Sequence, residues 1–163
     1  MKCLVFSDSH GTVSLMKRAL DIHRDAEVVF FLGDGLEDAE QLALGDTERM
    51  WIAVRGNNDY FSTFCSKETL KVEKISIGGF TIVLTHGDIY NAKYTTGSLR
   101  GLARREGADI LLFGHTHVPY EEYISDGEKP LYLFNPGSIY IEDGSYGIID
   151  IRDVPFFSHG NFI

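Results

Sequence analysis

An α/β sandwich with mixed sheets is the fold class this sequence predicts, and three observations carry it. The front third alternates continuous apolar runs with helically spaced stretches and small polar loops. The back half turns to short runs punctuated by Gly, Asp and Pro, the pattern of hairpins. A length of 163 residues, 44% of them hydrophobic, supports one core and reads as a single domain over 1–163.

Taken in order, Lys2 to Phe6 is a short apolar strand broken by Ser7-Asp8-Ser9-His10-Gly11. From Val13 to Ala26 the apolar positions Leu15, Met16, Ala19, Leu20, Ile22 and Ala26 recur near helical spacing, which predicts an amphipathic helix covering the sheet. Glu27 to Leu32 is a second buried strand, running into Gly33-Asp34-Gly35, and Glu37 to Leu44 can form one short helix. Met50 to Val54 is a third strand, ending in the turn-rich Arg55-Gly56-Asn57-Asn58-Asp59. Thr69 to Ile77 and Phe80 to Leu84 flank Gly78-Gly79 as a hairpin, the second strand ending in Thr85-His86-Gly87 before a helix around Leu99 to Glu106. Ile110 to Gly114 reads as a strand buried on both faces, followed by His115 and His117. Two positions apart in an extended segment, both rings would leave the backbone on one side. Short strands follow at Tyr120 to Ile124, Leu131 to Phe134, Tyr146 to Ile151 and Val154 to Phe157.

Lys and Arg total 15 against 24 Asp and Glu, a formal charge of -9, which argues against capture of duplex nucleic acid. Cys3 and Cys65 are the only cysteines and form no CxxC, so a reducing, cytoplasmic compartment is expected. No apolar run approaches the ~18 to 20 residues of a membrane span, and no membrane association is expected.

Five separate strands end in loops carrying DSH, GDG, GNND, THG and GHTH, each with Asp, His or Asn beside a small residue. In open α/β sheets ligands gather at the carboxyl ends of strands, where loops distant in sequence can converge. Four of the six histidines, His10, His86, His115 and His117, lie in these loops. Oxygen and imidazole donors without a thiolate suit Mn²⁺, Fe²⁺, Ni²⁺ or Zn²⁺ and exclude a structural zinc site of the cysteine type. The seven donors Asp8, His10, Asp34, Asn57, His86, His115 and His117 exceed one cation's needs and would serve two, ~3.5 to 4 Å apart and sharing a carboxylate and a hydroxide. Such a pair meets the demand of in-line attack on phosphorus.

The ordered series DSH, GD, GN(x)D, THG and GHTH resembles the calcineurin-like metallophosphoesterase superfamily over almost the whole chain. With Asn135-Pro136-Gly137-Ser138 after GHTH, it is most similar to the small prokaryotic phosphodiesterase branch, relatives of the retromer scaffold subunit. The resemblance implies a four-layer α/β/β/α sandwich of two mixed sheets flanked by helices. It also implies one metal on Asp8, His10 and His117, a second on Asn57, His86 and His115, and Asp34 bridging them. The expected cofactor is a pair of divalent ions, Mn²⁺ first, with Ni²⁺, Fe²⁺ or Zn²⁺ as alternatives. Many members carry His after the asparagine, where it protonates the leaving oxygen, and here Asn58 stands there. Asparagine supplies no proton at neutral pH, so a diester with a good leaving group is the expected substrate, of small or nucleotide type, attacked by a metal-bridging hydroxide. Asp8, Asp34, Asn57, Asn58 and Asp59 are the catalytic candidates, Asp59 either orienting its loop as a turn carboxylate or touching a metal-bound water. Arg55 and Tyr94 are candidates to face substrate, while His23 and His159 fit no motif. A homodimer through Val154 to Phe157 and a scaffold role of the retromer-subunit type are the remaining expectations.

Overall fold

The computed structural model describes residues 1–60, 63–125, 129–141 and 143–162. In chain order the elements are β1 (Lys2–Phe6), α1 (Val13–Ile22), β2 (Val28–Phe31), α2 (Leu36–Ala43), β3 (Met50–Ala53), β4 (Thr63–Phe64), β5 (Lys67–Glu68), β6 (Val72–Ile77) and β7 (Phe80–Thr85). After a 3-10 turn at Asp88–Tyr90 come α3 (Gly97–Glu106), β8 (Ile110–Phe113), β9 (Pro119–Ile124), β10 (Leu131–Pro136), β11 (Ser145–Asp150) and β12 (Phe156–Asn161).

Two five-stranded mixed sheets, ordered β12-β11-β1-β2-β3 and β6-β7-β8-β10-β9, lie face to face. Strand alternation sorts each apolar run between two layers. In β1 and β2, Cys3, Val5, Val28 and Phe30 enter the core between the sheets, where Ile82, Leu84, Ile110, Leu112 and Phe134 meet them. Their neighbours Leu4, Phe6, Val29 and Phe31 point outward onto Met16, Ala19, Leu20, Leu36 and Ala39 of α1 and α2. On the opposite side Val83, Leu111, Phe113, Leu131 and Leu133 receive Leu99, Leu102 and Ala103 of α3. The result is the α/β/β/α sandwich, and burial on both faces explains why these strands lack polar alternation.

Three local readings differ. The last strand begins at Phe156 and runs through the polar Ser158, His159 and Gly160, because β11 pairs with it from Asp150↔Phe156 to Ser145↔Asn161 and supplies its hydrogen bonds whatever its side chains. The strand expected from Thr69 begins only at Val72. The hairpin β4–β5 had no turn signature in the sequence, yet Cys65 and Ser66 both take positive φ (49° and 64°), as a two-residue connection requires. No helix among the described residues is long and apolar enough to cross a membrane.

Candidate metal centre

The parallel strands β1, β2 and β3 end side by side, as do β7 and β8 in the facing sheet, so five loops open toward one another. Backbone bonds stitch these loops together: Asp8 N–H to Gly33 O (3.0 Å), His10 N–H to Asp34 O (3.3 Å) and Gly114 N–H to His86 O (3.0 Å). Asp8, His10, Asp34, His115 and His117 all adopt positive φ, between 44° and 67°. The segment holding His115 and His117 is therefore bent rather than extended, and its two rings part company. The glycines beside the ligands make room for close approach. A Cβ on Gly56 would collide with Asp34 Oδ1 and stand 2.5 Å from Asp34 N, and one on Gly114 would collide with Ser7 Oγ.

Two donor clusters result, Asp8 with His10 and His117, and Asp34 with His86 and His115. In the first, His10 Nε2 and His117 Nε2 are 3.4 Å apart, and Asp8 Oδ1 lies 3.2 Å from His117 Nε2 and 3.9 Å from His10 Nε2. In the second, His86 Nε2 lies 3.1 Å from His115 Nδ1, 3.4 Å from Asp34 Oδ2 and 3.2 Å from Asn57 Oδ1. Asn57 thus joins the second cluster. Asp8 Oδ1 is also 4.0 Å from His86 Nε2, so this oxygen faces imidazoles of both clusters. It is buried and makes no well-formed hydrogen bond.

That geometry fits divalent cations. Donors bound at ~2.1 Å in tetrahedral or octahedral arrangement lie ~3.0 to 3.4 Å from one another, which matches the separations of 3.1 to 3.4 Å found here. His86 is oriented for the role. Its Nδ1–H donates to Leu32 O at 2.7 Å, across the two sheets, which leaves the Nε2 lone pair turned to the cluster. Burial opposes a charge on His86, but the hydrogen bond to Asp34 and the Asp8 charge outweigh it and raise its pKa. Burial likewise opposes ionisation of Asp34, yet His86 and hydrogen bonds from Asn58 hold its carboxyl well below the usual range. His117 is raised by the adjoining Asp8 carboxylate, while burial, His86 and Lys93 lower His115.

Asn58 and Asp59 both serve the Asp34 loop. Asn58 turns to Asp34, donating from Nδ2 to Oδ2 (2.7 Å) and from its backbone N–H to Oδ1 (2.8 Å). Asp59 is withdrawn from the clusters. Its Oδ2 accepts the N–H groups of Asp34 (2.8 Å) and Gly56 (2.7 Å), and its Oδ1 those of Gly35 (2.8 Å) and Leu36 (2.9 Å). With both oxygens occupied it is a positioning residue for the Asp34 loop and the start of α2, which is the loop-orienting one of the two roles expected for it.

Several further residues support the ligands, two of them in the Asn135-Pro136-Gly137-Ser138 stretch that the sequence marks out. Ser7 Oγ donates to Asp8 Oδ2 at 2.5 Å, and Ser138 Oγ to Asp8 O at 2.8 Å. Asn135 Nδ2 donates to Gly114 O and Thr116 Oγ1 (2.9 and 3.1 Å), bracing the His115–His117 loop from behind. Tyr94 is 89% exposed, and the backbone N–H of Arg55 bonds Leu70 O. His23 pairs with Tyr146 Oη (3.0 Å) and His159 Nε2 donates to Asn135 O (2.8 Å), both structural contacts.

The calcineurin-like phosphoesterase superfamily domain matches residues 1–153. A probable metallophosphoesterase of Methanocaldococcus jannaschii is 33% identical over 138 residues, covering 82% of this chain but just under two thirds, 66%, of that protein. Phosphodiesterase YfcE of Escherichia coli K12 is 30% identical, covering 92% of this chain and 88% of its own length. Among solved structures, a single mutant of Vps29 from Entamoeba histolytica superposes with a TM-score of 0.70 at 25% identity, covering 100% of both chains. With two candidate metal clusters at the strand ends and a family match over nearly its whole length, the chain belongs to the calcineurin-like phosphoesterase superfamily, a family of metal-dependent phosphoesterases.

Proposed function

We propose that this chain hydrolyses phosphodiesters, preferring them to monoesters, with two divalent cations seated in the paired clusters and Mn²⁺ favoured over Ni²⁺, Fe²⁺ or Zn²⁺. The observation that carries the reading is Asp8 Oδ1, a buried oxygen without a proper donor, flanked by His117, His10 and His86. When bound, the cations supply water activation and charge neutralisation at the phosphoryl oxygens. The residues themselves hold the donors in place: Asp34 is fixed by Asn58, His86 by Leu32 O, and Asp8 by Ser7 and Ser138. Bridging by Asp34 belongs to this proposal. Asn58 is an amide that cannot protonate a departing alkoxide, so ester bonds with acidic leaving groups are cleaved best.

The test is hydrolysis of bis-p-nitrophenyl phosphate and p-nitrophenyl phosphate across a metal series, with bound metal measured. Diester turnover exceeding monoester turnover with Mn²⁺ supports the reading, and a metal-loaded protein that cleaves neither overturns it. The likeness to Vps29 favours a second reading, a protein-binding scaffold. Replacing Asp8 with Asn separates the two, since a scaffold keeps its cellular role without turnover. A cytoplasmic location and a small or nucleotide-type substrate, rather than duplex nucleic acid or membrane, complete the proposal. A homodimer, if formed, would use the edge strand β12, beside which Val154 and Phe156 are 68% and 67% exposed. Sedimentation as a monomer at all concentrations would remove that part.

A further inference from the structure

Two clefts flank the paired clusters and differ in size. One, of about 250 Å³, lies between His10, Asp34, Asn58 and Tyr60. The other, of about 420 Å³, starts at His117 and runs along Ser138, Tyr140 and Ile141 to His159 and Asn161. The larger falls within the ~300 to 1,000 Å³ usual for small-molecule sites, and the smaller falls short of it. A diester carries two substituents on one phosphorus, and two clefts meeting at His10 and His117, whose nitrogens are 3.4 Å apart, offer a place for each.

Tyr140 is the conspicuous wall of the larger cleft. Its ring stands edge-on to that of His10, with centroids 5.6 Å apart at 89°, and yet it is 48% exposed. The backbone beneath it is tied to the metal loop at three points. Ser138 Oγ donates to Asp8 O (2.8 Å), Ile139 N–H to Ser7 O (3.1 Å) and Thr12 Oγ1 to Tyr140 O (2.7 Å). Ile139 itself is fully buried. A half-exposed aromatic ring thus stands beside the site on a backbone already ordered before anything binds, so little main-chain ordering is left to lose on binding. The chemistry around it narrows the guest. Among the described residues Asp143 is the carboxylate of this cleft, while His159 is engaged with Asn135 O and His117 with Asp8, so a further phosphate on the guest would find no free cation among the described lining residues.

Resting on the phosphodiesterase reading, we infer that the larger cleft receives a neutral arm of the diester bearing a planar aromatic ring, of aryl or nucleobase type, and that Tyr140 stacks on it and sets this specificity. Stacking of a base on an aromatic side chain is sequence-tolerant, and its loss on truncation corresponds to roughly 5- to 160-fold.

The experiment compares thymidine 5′-(p-nitrophenyl) phosphate with methyl p-nitrophenyl phosphate, two diesters with the same leaving group, on wild type, Tyr140→Ala and Tyr140→Phe, with bound metal measured in each. The wild type is expected to favour the thymidine ester. Tyr140→Ala should lower the ratio of kcat/KM between the two esters roughly 5- to 160-fold, and Tyr140→Phe should preserve it. A ratio unmoved by Tyr140→Ala, or equally lost in Tyr140→Phe, overturns the inference. Calorimetric binding of thymidine 5′-monophosphate and methyl phosphate to the Mn²⁺-loaded proteins gives a readout independent of turnover. Should neither ester be cleaved, the phosphodiesterase reading fails, and Tyr140 is judged on binding alone: a nucleotide advantage present in wild type and absent from Tyr140→Ala supports it, and equal binding of the two ligands by wild type removes it.

Discussion

Replacing Asp59 with Asn tests how the site is held together. The carboxylate accepts four backbone N–H groups at 2.7 to 2.9 Å, two on each oxygen, from residues of two different loops. Asparagine keeps one acceptor oxygen, so its NH₂ must face two N–H donors whichever way it turns. Two hydrogen bonds to a charged acceptor are lost, at about 1.5 to 3 kcal/mol each. Asp59 is only partly buried, and water regaining some of those donors brings the expected loss to roughly 2 to 4 kcal/mol. For a chain of this size that is a fall in Tm of roughly 4 to 16 °C. Urea unfolding in excess chelator measures it free of metal linkage, with the slope m unchanged if only stability has moved. Metal titration of the same variant should show weaker binding at the Asp34, His86 and His115 cluster. Stability within ~0.5 kcal/mol of wild type in chelator would refute the claim that this carboxylate organises the two loops.

Gly56→Ala drives a methyl group into Asp34 Oδ1 and to 2.5 Å from Asp34 N, and is expected to cost about 1 to 3 kcal/mol with reduced metal stoichiometry; full metal loading would contradict it. Asn58→His should raise the ratio of monoester to diester hydrolysis by at least ~10-fold by restoring a proton donor, and an unchanged ratio would sink the leaving-group argument. Away from the site, burial disfavours the Asp46 charge, but hydrogen bonds from Arg49 (3.0 Å) and Trp51 Nε1 (3.0 Å) prevail and lower its pKa. A lowered folded-state pKa means that the contribution of ionised Asp46 is whole above its unfolded value of ~3.9 and disappears as pH falls through the folded value. Wild type should therefore exceed Asp46→Asn in urea stability by about 1 to 2 kcal/mol at neutral pH, the gap closing in acid, and a gap independent of pH would count against the assignment.

Much of the fold was legible because burial leaves a periodic trace. Cys3, Val5, Val28 and Phe30 face one apolar layer and Leu4, Phe6, Val29 and Phe31 another, so each run is apolar throughout and announces a strand covered on both sides. The part of β12 beyond Phe157 escaped because Ser158, His159 and Gly160 owe their strand to the register of β11, which no local pattern encodes. The hairpin at Cys65 and Ser66 escaped for the same reason, its left-handed turn lacking the usual Asn-Gly.

The candidate donors were likewise legible as residue types at strand ends, since cations of this class need oxygen and imidazole groups and here those recur in the loops that follow the strands. The family resemblance already implied how those donors divide; what the linear order left open was the geometry that divides them and what holds them. Tertiary structure supplies the reason His115 and His117, two residues apart, fall in different clusters: the bent backbone between them turns one ring to His86 and the other to His10. It also decided that Asp59 serves the backbone, that Leu32 O sets the face His86 presents, and that Tyr140 stands at the rim. A residue's type states which bonds it can make; which partner comes within 3 Å depends on how two separately built sheets stack, and that is a property of the packed core.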